Sequence, residues 1–247
     1  MKEIKENVEQ ILVLIKPDAL IYSLTGFIIE RISAVFNPII AATKMTNVIR
    51  ELAEEHYRNI KGQPYFERTI KYIMGELHYP NAPDKRRVMA IVYEGEGIIN
   101  KIKTYFGPTR PKEAKRLAKE EGIVTLRSQL SYTDYSVSHE ELIENAVHAS
   151  QDEKEAEREI KLWFQPSDLP KQYRIFDYVE SEEFFYYIID QEKGSQIIND
   201  YRKGAKCIAV PGDYVWETDY DNLLCYKYKQ DTPSLSLNSI IAKYIHL

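Results

Sequence analysis

Ile11-Leu-Val-Leu-Ile15, stopped at once by Lys16-Pro17-Asp18, is the stretch on which the fold turns. Five apolar strand formers in a row, with no polar alternation, predict a strand buried on both faces, and so a sheet covered on both sides. Downstream, Ile28, Ile32, Val35 and Phe36 fall at the spacing of one helix face within residues 24–36, and Ile39 to Met45 reads as a second strand. Thr46 or Asn47 is expected to cap the next helix, whose stripe is Ile49, Leu52, Ala53, His56, Tyr57 and Ile60. Val88 to Tyr93 gives a further strand closed by Glu94-Gly95. Ile98, Ile99, Ile102 and Phe106 mark a helix ended by Gly107-Pro108, and Pro111 opens a mostly polar helix to Glu121. Ile123 to Leu126 reads as extended, Tyr132 to Val137 as the last strand of the sheet, and His139 to Ala146 as helical. A final helix is expected to start at a capping box of Ser150 and Glu153 and to bury Ala156, Ile160, Trp163 and Phe164. This order of strands and helices predicts an α+β sandwich in which helices cover a small sheet.

Composition narrows the function classes. With 44% hydrophobic residues, the 247-residue chain can bury a full core. A net charge of -5 gives no general attraction to nucleic acid or anionic membrane, so neither is expected as a partner. No apolar run reaches the ~20 residues that span a bilayer, and the opening Met1-Lys-Glu-Ile-Lys-Glu has the wrong pattern for a secretion signal. Cys207 and Cys225 have no companions at metal-ligand spacing, so a reducing compartment, the cytoplasm, is expected. Pro166 and Pro170 bracket a natural boundary. The 77 residues from 171 to 247 hold 10 of the 19 tyrosines, a shift in composition that separates an expected domain at 1–170 from a Tyr-rich extension at 171–247.

The residues with most chemical promise surround His148, in Asn145-Ala-Val-His148-Ala-Ser150-Gln-Asp-Glu153. A histidine just before a helix start can lie beside the free N–H groups and positive dipole end that attract phosphate. Its neutral imidazole is also nucleophilic near pH 7. Taken alone, such a residue is more often a helix-flanking histidine in a satisfied hydrogen bond. Glu159 lies by helical geometry on the flank of the apolar stripe, where an acid needs a partner. It reads either as the group that holds one ring nitrogen of a histidine or as half of a surface ion pair.

Ile15-Lys16-Pro17-Asp18, His56-Tyr57, Pro64-Tyr65-Phe66, Tyr93-Glu94-Gly95, Gly107-Pro-Thr109-Arg-Pro111, Asn145-Ala-Val-His148-Ala-Ser150 and Glu159-Ile160-Lys-Leu-Trp163-Phe164 occur in that order. The ordered set resembles the nucleoside diphosphate kinases over roughly residues 10 to 170. The resemblance implies a ferredoxin-like α/β sandwich with a four-stranded antiparallel sheet. It also implies a ping-pong phosphoryl transfer between nucleoside tri- and diphosphates through a phosphohistidine, with Mg²⁺ brought by the nucleotide phosphates rather than by a protein metal site. His148 is then the nucleophile, Glu159 its orienting partner and Tyr57 its neighbour. Lys16 and Asn145 contact the sugar hydroxyls, with Lys16 also near the transferred phosphate; Lys103, Thr109 and Arg127 hold phosphates, and Tyr65 stacks on the base. As residues, Tyr65 and Phe66 read equally as a packing pair.

Several departures stand beside the match. Lys103 replaces the family's arginine and loses its bidentate fork. Ala149 replaces a glycine, and Gln151 stands where an aspartate is customary. The segments Leu77 to Arg86, Pro111 to Arg127 and Asp134 to Asn145 are longer than expected, which sets the familiar hexamer or tetramer in doubt and favours a homo-oligomer as small as a dimer. Residues 171–247 have too small a core to stand alone and are expected to pack on the kinase-like part or on another subunit. With Lys103, the long loops and this extension in view, the alternative reading is a weak or inactive nucleotide-binding protein with an interaction role.

Overall fold

In the computed structural model, residues 8–130, 144–190, 194–229 and 232–244 are described. A four-stranded antiparallel sheet has the order β2-β3-β1-β4, where β1 is Val8–Ile15, β2 Ile39–Thr46, β3 Val88–Glu96 and β4 Val147–Ala149. Helices α1 (Pro17–Ile21) and α2 (Thr25–Phe36) follow β1. Helices α3 (Arg50–His56) and α4 (Phe66–Ile73) lie between β2 and β3, and α5 (Ile98–Phe106), α6 (Pro111–Glu121) and α7 (Glu153–Trp163) complete the kinase-like part. This is the ferredoxin-like α+β fold.

The opening stretch is apolar throughout because each of its faces meets a different core. Ile11, Val13 and Ile15 pack with Ile28 and Ile32 of α2 and Ile98, Ile102 and Phe106 of α5. Leu12 and Leu14 pack with Leu52 and Ala53 of α3, Ile70 and Ile73 of α4, and Ile160 and Trp163 of α7. Alternate side chains of a strand point to opposite faces, so burial on both demands an unbroken run.

The second core continues into the extension. Phe185, Trp216, Leu223 and Ile240 are fully buried in one cluster with Phe164 and Leu169. The extension carries β5 (Tyr178–Glu180) paired with β9 (Tyr214–Trp216), and a sheet of order β7-β6-β8 from β6 (Phe185–Asp190), β7 (Gly194–Ile198) and β8 (Lys206–Ala209). Helices α8 (Glu217–Tyr228) and α9 (Leu237–Tyr244) follow. The expected packing of the extension on the kinase-like part is realised through α9, which contacts both α3 and α7: Asn238 donates to Glu51 Oε1 at 3.0 Å, and Lys243 donates to the Lys161 carbonyl at 2.5 Å.

Four local expectations are corrected. The helix after β2 begins at Arg50, so its cap position falls on Ile49, which is extended and has no polar side chain; Thr46 and Asn47 lie further ahead, and the Thr46 hydroxyl donates to the Asn47 carbonyl. Glu144 to Ala146 are not helical, and Ala146 adopts a left-handed φ of 65°; the rest of 139–146, and Tyr132 to Val137, lie outside the described residues. The fourth strand of the sheet is instead β4, which carries His148. Asp152, not Ser150, caps α7, its carboxylate accepting from the Glu155 N–H at 2.9 Å. A carboxylate is a strong cap, and it releases the Ser150 hydroxyl for a tertiary bond.

Candidate active site

His148 stands at the middle of β4, opposite Leu14 in the register. Directly paired residues share a face, so the imidazole projects to the side covered by α3 and α7. It is therefore placed by a sheet edge rather than by the turn before a helix, which corrects the local reason for its position. Its Nε2 lies 2.9 and 3.0 Å from the two carboxylate oxygens of Glu159 on α7. Ser150 closes the arrangement: its backbone N–H bonds the Leu12 carbonyl, and its hydroxyl donates to Glu159 Oε2 at 2.6 Å.

Glu159 is only 4% exposed, so it is not half of a surface ion pair. Burial pushes its carboxyl pKa up, but His148 and His56, with the hydrogen bonds from His148 and Ser150, outweigh that and hold it at about 2. An ionised carboxylate only accepts, so Nε2 of His148 donates to it, and Nδ1 is the ring nitrogen that Glu159 does not use.

His56, at the end of α3, belongs to the ordered motif set but was given no role at the site by the sequence reading. Its ring centroid is 4.5 Å from that of His148, edge to face, and Trp163 Nε1–H donates to its Nδ1 at 3.2 Å. Burial lowers its pKa to about 3 against the opposing charge of Glu159, with Arg158 and Lys16 adding to the fall, so it is neutral. With Nδ1 accepting, Nε2 bears the hydrogen, and that buried group has no partner among the described residues. The buried Tyr57 hydroxyl also lacks one; its ring is 6.5 Å from His148, and burial raises its pKa, which keeps it a phenol. The motif His56-Tyr57 marked the position in the sequence, but the partners of the His56 ring, Trp163 and His148, come together only in three dimensions.

A second group gathers around Lys16, at the end of β1. Its Nζ donates to Asn145 Oδ1 at 2.7 Å and lies 5.3 Å from the Tyr72 ring centre. Burial and the charge of Arg127 bring its pKa down to about 7, against the opposing pull of Asp18. Asp18 accepts from the Ala146 N–H at 2.9 Å and so supports the left-handed turn ahead of β4. Asn145 Nδ2 donates to the Thr109 carbonyl at 3.1 Å, which ties Asn145 and its partner Lys16 to the loop after α5.

The cations expected on phosphates are differently committed. Arg127 is 7% exposed and gives its guanidinium N–H groups to the carbonyls of Asn145, Gly107, Pro108 and Val147 at 2.6–3.3 Å. Gly107, at φ 76°, makes room for this: a Cβ there would come within 2.6 Å of the Thr125 side chain. Lys103 is reachable from solvent and donates to the Gln151 carbonyl beside β4. Tyr65 is 46% exposed ahead of α4, so it is not a packing residue, whereas Phe66 is buried.

His56, His148 and Glu159 also bring donor atoms within 4.8 Å of one another. Two imidazoles and one carboxylate suit a borderline-soft ion rather than Mg²⁺, which prefers oxygen donors, and two of these nitrogens are already bonded.

Comparison with known proteins accords with this geometry. The profile of the nucleoside diphosphate kinase family matches residues 9–169. A nucleoside diphosphate kinase of Pyrococcus furiosus is 35% identical over 180 residues, covering 73% of this chain and 94% of its own. One from Clostridium perfringens is 37% identical over 158 residues, 64% of this chain and 92% of its own. Among solved structures, the chain is similar to a transition-state mimic of the Borrelia burgdorferi nucleoside-diphosphate kinase with bound vanadate and ADP, at TM-score 0.53 and 26% identity over 68% of this chain and 94% of that one. Fold and matches define a phosphotransferase that acts on nucleotides. The chain belongs to the nucleoside diphosphate kinase family, and its reaction moves the terminal phosphate of a nucleoside triphosphate to a nucleoside diphosphate.

Proposed function

We propose that this transfer runs by a ping-pong route through His148. The observation that carries the reading is the two-oxygen grip of Glu159 on His148 Nε2, backed by Ser150, which leaves Nδ1 for the attack. Nδ1 attacks the terminal phosphorus, the N–P bond forms as the P–O bond to the departing diphosphate breaks, and no proton has to leave the ring. The imidazolium charge that develops lies against the ionised Glu159. A second diphosphate then reverses the step.

Lys16 and Asn145 hold the sugar hydroxyls, with Lys16 also reaching the transferred phosphate. Tyr57 offers its phenol beside the nucleophile. Tyr65 stacks on the base, a contact every base can make. Thr109, Lys103 and Arg127 form the phosphate side, Arg127 chiefly by holding the two backbone segments that line it. The metal is Mg²⁺, which arrives on the nucleotide phosphates and offsets their charge; the donor set around His148 does not suit it, and no residue of the chain is assigned to it. The protein works in the cytoplasm as a homo-oligomer, for which the exposed Ile39, Ile40 and Met45 of the edge strand β2 supply an apolar surface; light scattering on the purified chain measures its size. Residues 1–170 carry the chemistry, and 171–247 brace it.

Incubation with γ-labelled ATP tests the route. The expected product is an acid-labile, base-stable phosphoprotein that passes its label to GDP. Absence of label in the folded protein, or its persistence in His148→Ala, overturns the reading.

A further inference from the structure

A second histidine–carboxylate pair lies outside the cluster around His148. His78 sits in the Leu77 to Arg86 segment, which the sequence reading takes as longer than expected, and its Nε2 is 2.7 Å from Glu144 Oε1. The His78 side chain is 8% exposed and its ring centre is 5.4 Å from that of Tyr72. Both groups it touches lead to one residue. Glu144 directly precedes Asn145 in the chain. The Tyr72 hydroxyl accepts from the Asn145 N–H at 3.4 Å, while its ring lies against Lys16 Nζ. Asn145 in turn takes the Lys16 amine at 2.7 Å.

We propose that His78 is a positioning residue for the sugar-binding end of the site: held by Glu144 and packed on Tyr72, it fixes the backbone that presents Asn145 to Lys16. The pair is enclosed, so loss of one partner strands the other in a part-buried setting instead of releasing it to water. The proposal rests on the reading of Lys16 and Asn145 as the sugar-hydroxyl contacts. It assigns to an enlarged loop the task of setting two residues of the reaction machinery, while His78 itself touches neither phosphate nor nucleophile.

The test uses the full chain with GTP as donor and compares ADP, 2′-deoxy-ADP and 3′-deoxy-ADP as acceptors. In His78→Ala, kcat/KM for ADP falls about five- to tenfold, the scale of one ordinary hydrogen bond, while at least one deoxy acceptor falls less than about twofold. The preference for the intact sugar therefore shrinks. His78→Phe keeps the ring on Tyr72 but cannot hold Glu144, and it decides the matter if the alanine variant does not fold; Glu144→Gln, which keeps the shape, shows a smaller shift in the same direction and decides if neither does. An equal loss on all three acceptors, or an unchanged sugar preference in a folded variant, overturns the proposal. A wild-type protein with no sugar preference at all, or with no phosphohistidine, overturns the parent reading as well, and that result is visible before any substitution is made.

Discussion

The two halves of the site differ in where their polar atoms are spent. Around His148 three polar groups are aimed at other side chains: Glu159 at the imidazole, Ser150 at Glu159, Trp163 at His56. Across the site, Arg127 and Lys103 are turned toward backbone carbonyls. The nucleophile is thus set before a nucleotide arrives, and catalysis gains from dipoles that need no rearrangement. On the other side, Arg127 is bound into the protein's own loops, and Lys103 is held on the Gln151 carbonyl, which it would have to leave for the phosphate contact proposed for it. One half is built for chemistry and the other for holding its own walls.

That contrast can be broken by substitution, with the largest effect expected at Arg127. Arg127→Ala removes donors from four carbonyls and lowers stability by about 3 kcal/mol in denaturant unfolding, whereas Lys103→Ala stays within about 0.5 kcal/mol. Similar losses for both would show that the two cations are used alike. Glu159→Gln comes next: kcat falls about 100-fold because the amide no longer balances charge on the ring. Its carboxyl pKa is depressed from 4.5 to about 2, so its contribution to stability is present above 4.5 and disappears as pH falls toward 2. The variant should lose that acid slope in melts taken across this range.

Lys16 supplies a third, smaller effect. In the unfolded chain it keeps its proton up to about 10.5, but folded it releases it near 7. Between those values the unfolded state binds more protons, so this residue makes stability rise with pH. Nucleotide binding moves the opposite way, weakening as pH climbs through about 7 and the charge on Lys16 is lost; Lys16→Met should abolish both trends. The smallest change is Lys103→Arg, which restores a fork for phosphate and should raise kcat/KM about two- to threefold without altering the melting temperature. A fall instead would place Lys103 among the residues that shape the backbone, with Arg127.

Much of this was legible in the sequence because its signals are local. The Ile11 to Ile15 run, the helix stripes, Gly107 after α5 and Glu159 on the flank of its helix follow from spacing, whereas the four-stranded antiparallel sheet and the partnership of Glu159 with His148 were implied by the family resemblance and are present. What escaped depends on distance through space. A strand of three residues, Val147–Ala149, is too short to show alternation, so its place in the sheet went to a neighbouring segment. Ser150 looked like a cap because spacing cannot tell a hydroxyl that serves a helix end from one that serves a carboxylate. Nor could spacing bring His56 to Trp163, or His78 to Glu144, since each pairing joins segments far apart in the chain. The run Phe184 to Ile189 is apolar and aromatic throughout, so only the fold shows that Phe185 and Tyr187 face the core while Phe184 remains 47% exposed.

The left-handed backbone at Ala146 has a consequence for protein engineering. An alanine held at φ 65° is strained, and Asp18 and the Lys16 backbone are what hold it there. Glycine would relieve that strain at the cost of greater freedom in the unfolded chain, so the melting temperature of Ala146→Gly reports the balance of two nearly equal and opposed quantities. Amide exchange is the sharper gauge. If the strain is what keeps β4 aligned against β1, the peptide N–H groups of residues 147–149 will trade their hydrogens for solvent deuterium sooner in the glycine variant than in the wild type, even where the two proteins melt together.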